Sequence, residues 1–469
     1  MPVISTPYEF NQDRLYAGAA ARAAGEVGHM TGSDLNVRHD HRPLGILDTR
    51  TGRPPLLSST SRGCSRKVWK FGGTSLGDMP RLRAVAERLA AAQREGVEVV
   101  AVLSAMGHST DALVAMAADV SGFAYPREMD ALLAVGEVIS CTLVAMAIQS
   151  AGGSALSMSG AQAGIHTDHT YGLARLQAVE IDAVEDALRC GRIPVVTGFQ
   201  GISDDGDVTT LGRGGSDASA IILAAALGLS ECEIFTDVDA VYTADPRVVT
   251  GAIPIPELSH DDMLHLADSG AQVLQPRAVE LAQNLNIDIH VCSSFTTACG
   301  TWIRKETPVI DTRRVSGVAH RSRDPIYTLR GATSSSIVAR LASRDIAVGA
   351  IVDDGQSVRF TVAEAEEDRV AAALGPDAKD LHRDDLGSVS VVGTGVWERC
   401  DAVTDVIKAL DSVSVEPRLV TTSPHRISCH VPTDAVPVAV GALHDVFVAE
   451  RRSPAVNQNI PVQEREHVA

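Results

Sequence analysis

Apolar residues along this chain occur either in short continuous runs or at a spacing of three to four positions. The continuous runs are bounded by glycine, serine or aspartate and are too short for typical helices, which favours buried strands. We predict strands at Val68–Phe71, Val97–Leu103, Ile193–Thr197 and Glu231–Thr236. Segments with helical spacing separate them, so strand and helix alternate along this part of the chain.

The helical segments carry their apolar positions on one face. The clearest follows Asp78, a typical N-cap residue, with Leu82, Val85, Ala86 and Leu89 on one side. Further helices are predicted at Glu128–Ser150, Ile181–Arg192 and Ala218–Leu227, and Leu258–Ile289 is predicted to form helix, turn, helix and strand. Such alternation predicts an α/β protein with a mainly parallel sheet and helices on both faces.

After Thr301 the pattern changes to shorter elements in two similar units. In the first unit we predict short strands and one helix at Val315–Ala319, Ile326–Leu329, Val338–Ala342, Ala347–Val352 and Val358–Val362. In the second the order is β-α-β-β-α, at Ser388–Val392, Ala402–Leu410, Val413–Leu419, Arg426–Val431 and Val436–Phe447. Two small α+β modules are therefore expected behind the α/β domain.

These patterns set the predicted domain boundaries. Residues 1–66 lack periodicity and are rich in Arg, Gly, Ser, Thr and Pro, which predicts a mostly disordered extension. The remaining predictions are an α/β domain at 67–304, a first module at 312–375, a second at 386–450 and a flexible tail at 451–469.

Composition narrows the class of protein. The chain has 469 residues and a net charge of −18, which argues against binding to nucleic acid or to an anionic membrane. Its 8 cysteines are scattered without a CxxC pair, as expected of reduced thiols in the cytoplasm. The most apolar window, Val138–Ile148, is shorter than a membrane span. We therefore expect a cytoplasmic protein without a membrane segment.

A glycine-rich turn at Gly212–Gly215 leads directly into the predicted helix after it. Glycines let the backbone approach a ligand closely, and the first amides of a helix attract an oxyanion such as phosphate. Arg213 can hold a carboxylate with its planar guanidinium, and Asp217 lies at the helix start. Glycine turns before helices are common, so this turn alone is weak evidence for a phosphate site.

A lysine followed by two glycines strengthens the case. Lys70 lies at the end of the first predicted strand, in the run KFGGTS, where a compact cation can contact phosphate oxygens. The competing interpretation is a surface lysine after a strand. Another polar loop, Asp237–Arg247, follows the strand Glu231–Thr236, and loops after strand ends are where open α/β sheets bind ligands.

The ordered set of motifs resembles that of the aspartate kinases. These motifs are KFGGTS at Lys70–Ser75, SAMG…TD at Ser104–Asp111, Gly136-Glu137, Gly198–Gly201, the Gly212–Asp217 turn, and Asp237–Arg247. The resemblance implies an amino-acid kinase fold, an αβα sandwich with a mainly parallel sheet, followed by two ACT-like modules. It also implies ATP-dependent phosphorylation of the β-carboxylate of L-aspartate, with Mg²⁺ on the nucleotide, as part of amino-acid biosynthesis.

The same resemblance implies a role for each motif. Lys70 and Asp217 would be catalytic, with Asp217 orienting Lys70 and the donor group. Glu137 would accept the substrate's α-ammonium group, although a structural ion pair is the alternative. The implied substrate-binding residues are Ser104, Thr110, Glu137, Arg213, Gly214, Gly215 and Ser216. The implied ATP-binding residues are Lys70, Phe71, Gly72, Gly73, Thr236, Asp237, Tyr242, Thr243, Ala244, Asp245, Pro246, Arg247 and Gln272. No side chain is assigned as a metal ligand.

The chain departs from the family pattern at three places. Gln272 stands where aspartate kinases usually carry a lysine that helps to hold the nucleotide. In the effector loops, Gly331–Ile337 and Arg399–Ala402 stand where regulated members carry proline–glycine turns. The retained ACT-like modules imply a homodimer or larger homo-oligomer, while the altered effector loops predict weak or no inhibition by lysine and threonine.

Two alternatives stay open at this stage. One is another amino-acid kinase of the same fold, acting on glutamate, a carbamate or a nucleotide. The other is a non-catalytic or impaired regulatory homologue, which the altered Gln272 and effector loops would suit. The resemblance to the ACT-module pattern also implies that the first module is inserted into the second, so that Val315–Ala319 would pack with the distal unit.

Overall fold

The computed structural model describes residues 65–121, 125–305, 314–344, 346–362, 367–394, 396 and 401–448. The predicted tail 451–469 and the predicted extension, apart from residues 65 and 66, lie outside the described residues. The strands up to residue 304 are β1 (Arg66–Phe71), β2 (Glu98–Leu103), β3 (Ala155–Met158), β4 (Ile165–Thr167), β5 (Leu176–Val179), β6 (Ile193–Thr197), β7 (Gln200–Ile202), β8 (Val208–Thr210), β9 (Glu231–Thr236), β10 (Glu257–Ser259), β11 (Asp288–Ser293) and β12 (Thr301–Arg304).

Eight of these strands form one sheet in the order β10-β12-β11-β9-β1-β2-β6-β3. All neighbours in it are parallel except β11 and β12, so the predicted mainly parallel sheet is confirmed. The helices of this domain are α1 (Met79–Arg94), α2 (Ser109–Val120), α3 (Pro126–Leu133), α4 (Val135–Ser150), α5 (Asp182–Arg189), α6 (Gly215–Ala226), α7 (His260–Asp268) and α8 (Pro276–Leu285). A smaller sheet of order β5-β4-β7-β8 lies beside it.

The central position of β1 follows from its side chains. Phe71 is fully buried and its ring stacks on that of Phe235 in β9, with centroids 4.7 Å apart. Asp78 caps α1 as predicted, because its side chain accepts a hydrogen bond from the amide of Arg81. Since β1 lies between β2 and β9, the carboxyl ends of all three strands meet at one edge of the sheet.

The predicted helix Glu128–Ser150 is two helices, α3 and α4, which meet at Ala134. The side-chain amide of Gln200 donates to the carbonyl of Ala134 at 2.5 Å, and the helical bond from Val138 to that carbonyl stretches to 3.4 Å. A side chain inserted in this way is a recognised cause of a break in a helix. The break places Gly136 and Glu137 in the first turn of α4.

Helices α3 and α4 together, Pro126–Ser150, form the one segment among the described residues that is long and apolar enough to cross a membrane. Half of its most apolar window is buried inside the protein. It packs against α1 and β3, as a core helix does. The apolar segment is therefore longer than the window Val138–Ile148, while its length agrees with the predicted helix Glu128–Ser150.

Two four-stranded sheets follow, in the orders β13-β18-β20-β19 and β15-β16-β14-β17. Their strands are β13 (Arg314–Arg321), β14 (Ile326–Arg330), β15 (Val348–Asp353), β16 (Ser357–Val362), β17 (Leu381–Asp384), β18 (Leu386–Thr394), β19 (Leu419–Ser423) and β20 (Arg426–Pro432). The helices are α9 (Ser334–Ala342), α10 (Glu367–Leu374), α11 (Ala402–Ser412) and α12 (Val436–Phe447).

The two units are interleaved along the chain. The first strand, β13, pairs with β18 of the distal unit, as the resemblance implies for Val315–Ala319, and β17 returns to pair with β14. The predicted strand Val413–Leu419 is wrong, because α11 continues to Ser412 and the strand begins only at Leu419. Ser414 has a φ of 59°, so the chain turns where an extended strand was expected.

Contacts between α7 and the distal sheet join the two parts of the molecule. The buried carboxylate of Asp262 accepts hydrogen bonds from the hydroxyls of Ser316 at 2.5 Å and Thr394 at 3.3 Å. Thr243, in the loop after β9, is within 2.9 Å of the His444 ring on α12. The loop after β9 and helix α7 are thus tied to α12 and the distal sheet by polar contacts.

We expect Asp262→Ala to destabilise the protein by about 1–3 kcal/mol, because the buried hydroxyl of Ser316 and the partly buried hydroxyl of Thr394 lose their acceptor. The measurement is the midpoint of thermal unfolding. Asp261→Ala is the matched control. Among the described residues, this neighbouring exposed carboxylate accepts a hydrogen bond only from the Gln283 side chain. Its removal should therefore change the free energy of unfolding by no more than about 0.5 kcal/mol. Equal shifts in both variants would contradict this assignment.

Candidate functional site

A cavity of about 430 Å³ opens at the carboxyl ends of β1 and β2, against the start of α6. Loops at this edge of an open parallel sheet are where such folds bind ligands. Its walls combine glycine backbone with the side chains of Lys70, Glu137, Arg213 and Asp217. Positive and negative groups therefore face one another across a small space.

Lys70 and Asp217 form an ion pair inside this cavity, with 2.5 Å between the Lys70 Nζ and the Asp217 Oδ1. Lys70 is the second-last residue of β1, and Asp217 lies in the first turn of α6. Their side chains are only 11% and 9% exposed. A buried cation paired with one carboxylate oxygen is held in place and still has donors that can face a ligand.

The glycine-rich turn ends at Gly214, which has a φ of 70° and caps α6. Gly212 also has a positive φ, 76°. A Cβ on Gly214 would lie 2.6 Å from the Cβ of Gln275, so both conformation and space require glycine there. The amide of Gly215 donates to the carbonyl of Gly212 at 2.9 Å, which closes the turn.

Glu137 reaches the cavity because α4 packs closely on the loop after β2. A Cβ on Gly136 would lie 2.9 Å from the Cβ of Ala105, so glycine permits this approach. The Glu137 Oε1 accepts the amide of Ala105 at 3.0 Å, and Ser140 donates to the carbonyl of Ser104 at 2.8 Å. The other carboxylate oxygen, Oε2, is buried and has no hydrogen-bond partner among the described residues.

Burial raises the pKa of Glu137 to about 8, against the hydrogen bond from the amide of Ala105, which lowers it. The carboxylate is therefore costly to ionise in this cavity as it stands. A cationic group placed beside Oε2 would lower that cost and favour the ionised form. The geometry favours an ammonium group as the ligand of Glu137.

Most of the predicted substrate-side residues are brought together here. The predicted site residues that line the cavity are Lys70, Gly73, Ser104, Thr110, Glu137, Arg213, Gly214, Gly215, Ser216 and Asp217. Gly72 lies beside it, since a Cβ there would be 3.6 Å from the Lys70 Nζ, while Phe71 is in the core. Their individual roles in binding stay a prediction.

The predicted nucleotide-binding residues in the loop after β9 do not all face the cavity. Thr243 is buried, with its hydroxyl near His444, and Ala244 is buried in the core cluster of the distal sheet. Asp245 and Arg247 bond each other at 2.8 Å. The side chains of Thr243 and Ala244 therefore face the C-terminal part of the chain and not the cavity.

Other predicted nucleotide residues lie outside the cavity lining. Thr236 ends β9 and bonds the exposed Asp237 at 3.1 Å, and Tyr242 pairs with Pro254. Pro246 and Gln272 are exposed, the latter in the turn between α7 and α8. These positions stay predictions for a nucleotide-binding surface next to the cavity.

Phe199 and Gln275 line the cavity but were not among the predicted site residues. Phe199 has a φ of 69°, an uncommon conformation for a residue with a side chain. Its amide donates to the Ser219 hydroxyl at 3.1 Å and its carbonyl accepts the amide of Leu211 at 2.8 Å. The run GFQG predicts a loop, but the strain at Phe199 arises from these distant partners.

Two protein families match different parts of this chain. The family described as "Amino acid kinase family" matches residues 65–293, and an ACT domain family matches residues 389–447. Aspartokinase III of E. coli, solved with aspartate and ADP in its R-state, has a TM-score of 0.69 at 24% identity, over 82% of this chain and 99% of that one. The Clostridium acetobutylicum aspartate kinase has a TM-score of 0.64 at 21% identity, over 81% and 99%. These structures establish a shared fold.

Curated relatives identify the family. Aspartokinase 2 of Bacillus subtilis is 39% identical over 404 residues, which span 83% of this chain and 99% of that protein. The aspartokinase of Mycolicibacterium smegmatis is 39% identical over 402 residues, 81% and 95% of the two chains. The chain belongs to the aspartokinase family, kinases whose phosphoryl acceptor is a carboxyl group.

We expect Glu137→Gln to alter how the stability of the ligand-free protein depends on pH. Because the pKa of Glu137 is raised from its ordinary 4.5 to about 8, the unfolded chain loses this proton first, and stability falls as pH rises between those values. The full difference in the free energy of unfolding would be about 5 kcal/mol. Thermal midpoints from pH 5 to pH 9 should fall less steeply in the variant; identical slopes would contradict the raised pKa.

Proposed function

We propose that this protein transfers the γ-phosphoryl group of ATP to the β-carboxylate of L-aspartate and forms 4-phospho-L-aspartate. The observation that carries this proposal is the convergence of Glu137, Arg213 and the Lys70–Asp217 pair on one cavity. Family membership supports the reaction class, and the E. coli enzyme solved with aspartate and ADP supports the choice of ligands.

The α-ammonium and α-carboxylate groups of the substrate would fit the charges of Glu137 and Arg213. Glu137 offers a buried carboxylate oxygen without a partner, which suits an α-ammonium group. Arg213 lines the same cavity and would hold the α-carboxylate with two parallel hydrogen bonds. Ser104 and Thr110 contribute to the wall on the loop side. The β-carboxylate would then extend toward Lys70.

The transfer itself needs charge neutralisation and positioning more than proton chemistry. The attacking carboxylate is ionised at neutral pH, so no general base is required. Lys70, oriented by Asp217, would stabilise the negative charge on the phosphoryl oxygens during in-line transfer. Of the glycine amides, those of Gly72 and Gly215 already donate to Phe235 and Gly212. We therefore assign the phosphoryl contacts to the amides of Gly73 and Gly214.

The nucleotide would lie beside the cavity, toward the loop after β9. Exposed polar groups there include Asp237, Arg247 and Gln272. Gln272 offers a neutral amide where related enzymes carry a lysine, so we propose weaker ATP binding. Among the described residues no group of three or more His, Cys, Asp or Glu side chains could hold a metal. Mg²⁺ would be carried by the ATP phosphates and would neutralise part of their charge.

Lys70→Ala should lower kcat by about 10²–10³-fold in a hydroxamate assay with L-aspartate and Mg-ATP, because it removes a preorganised charge. Asp217→Ala should do the same through loss of the orienting partner. Lys67→Ala is the matched control, since Lys67 lies on the same strand, pairs with Glu233 and does not line the cavity. Wild-type protein without aspartate-dependent turnover, or a Lys70 variant as active as the Lys67 variant, would refute the proposal.

We further propose that this enzyme responds weakly or not at all to lysine and threonine. In the first module, Thr333 caps α9 by accepting the amide of Ser336 at 3.3 Å, and Asp353 accepts the amide of Ser334 at 3.2 Å. The amides of Gly355 and Ser334 hold the pKa of Asp353 below its usual value. The helix start is thus already occupied by a carboxylate of the chain itself.

An effector carboxylate would have to displace Asp353 from these amides and would meet its negative charge. A ligand shifts a conformational equilibrium only through a difference in affinity between the two states. Without that binding, no shift occurs. Of the second effector loop, Arg399 and Cys400 lie outside the described residues, while Asp401 precedes α11. The interleaved sheets remain the proposed surface for a homodimer or larger homo-oligomer.

Lysine and threonine, added singly and together at up to about 1 mM, should leave aspartate-dependent turnover nearly unchanged. The reason is that the Asp353 carboxylate already occupies the helix start at which an effector carboxylate would bind. Asp353→Asn is the informative variant: removing the charge should allow weak inhibition if the carboxylate is the obstacle. Strong inhibition of the unmodified enzyme at sub-millimolar effector would overturn this part of the proposal.

A further inference from the structure

Two backbone segments meet directly beside the glycine-rich turn. One is the loop at residues 171–175. The other is Thr210, the last residue of β8, together with Leu211, which leads into Gly212. They are joined where the amide of Ala174 donates to the carbonyl of Thr210 at 2.9 Å. Any displacement of these segments would displace the turn that carries Arg213.

Asp130 on α3 holds both segments from one side. Its side chain is fully buried. The Oδ2 accepts the amide of Gly172 at 3.0 Å and that of Thr210 at 2.8 Å, and the Oδ1 accepts the Thr210 hydroxyl at 2.9 Å. A buried carboxylate is stable only when donors converge on it, and these donors come from segments far apart in sequence.

Arg277 on α8 holds the same two segments from the other side. Its guanidinium donates to the carbonyl of Leu211 and, at 2.9 Å, to that of Ala174. The Arg277 Nη1 would lie 3.7 Å from a Cβ on Gly212, so the guanidinium borders the turn itself. Neither Arg277 nor Asp130 lines the cavity.

We propose that Asp130 and Arg277 are positioning residues for phosphoryl transfer, which clamp the backbone entering the glycine-rich turn so that Arg213 meets the substrate carboxylate. The proposal rests on the proposed role of Arg213. It explains why a carboxylate is buried in α3 outside the cavity. A misplacement of about 1 Å at a substrate contact can cost on the order of 10²-fold in rate, so a clamp of this kind has kinetic consequences.

The hydrogen bonds of Asp130 predict that an asparagine in its place would retain the function that an alanine would lose. In Asp130→Asn the remaining oxygen can accept both amides, while the new NH₂ group donates to the Thr210 hydroxyl, which can also act as an acceptor. The clamp would therefore survive in Asp130→Asn and be lost in Asp130→Ala. If only the negative charge of Asp130 mattered, both variants would be impaired to a similar extent.

The experiment compares Asp130→Ala and Asp130→Asn with the wild type, by aspartate and ATP kinetics and by calorimetric binding of L-aspartate. In Asp130→Ala we expect kcat/KM for aspartate to fall about 10- to 100-fold, mainly through KM, with KM for ATP within about twofold. Asp130→Asn should recover to within about fivefold of the wild type. A folded Asp130→Ala with unchanged aspartate KM and binding, or an asparagine variant as impaired as the alanine one, would overturn the clamp.

A second pair of variants decides the matter if Asp130→Ala does not fold. Thr209 and Thr210 are adjacent on β8 and equally buried, but only the Thr210 hydroxyl bonds Asp130, while that of Thr209 bonds Thr167. Thr210→Val should raise aspartate KM several-fold and weaken aspartate binding, and Thr209→Val should do neither. Equal effects would overturn the proposal. Inactive wild type would instead refute the proposed reaction, while the binding measurements would still test the clamp.

Discussion

The ion pair between Lys70 and Asp217 is the contact on which the rest of the site depends. It joins the end of the central strand β1 to the first turn of α6, and both side chains are nearly buried. Burying two charges is costly unless they are paired and further bonded, so this pair fixes the distance between strand and helix. The cavity walls follow from that distance.

Close backbone contacts make the pairing possible. Gly198, after β6, would place a Cβ 2.6 Å from that of Ser216, so only glycine allows α6 to start so near the sheet. Gly136 serves the same purpose where α4 meets Ala105. The site is a consequence of tight packing at a few glycines.

Local pattern accounts for much of this architecture. Short apolar runs predicted β1, β2, β6 and β9 to within two residues of their observed ends, because buried strands require continuous apolar side chains. The motifs at Lys70, Glu137 and Arg213 pointed to residues that do line one cavity. These signals are contained within a few neighbouring residues.

Features that depend on distant partners could not be predicted in this way. The break between α3 and α4 depends on Gln200, 66 positions from Ala134. Asp130 looked like one more polar residue of a helix, since its donors lie 42 and 80 positions away. Thr243 and Ala244 lie in a loop that packs on the distal sheet, which no local pattern indicates.

The central claim is that one cavity binds the α-ammonium and α-carboxylate groups of L-aspartate between Glu137 and Arg213, with its β-carboxylate toward Lys70. A crystal structure of the protein with L-aspartate and Mg-ADP tests this most directly. The account predicts the α-ammonium group within hydrogen-bond distance of the Glu137 Oε2 and the α-carboxylate on the Arg213 guanidinium. Aspartate bound elsewhere, or bound with its β-carboxylate on Arg213, would contradict it.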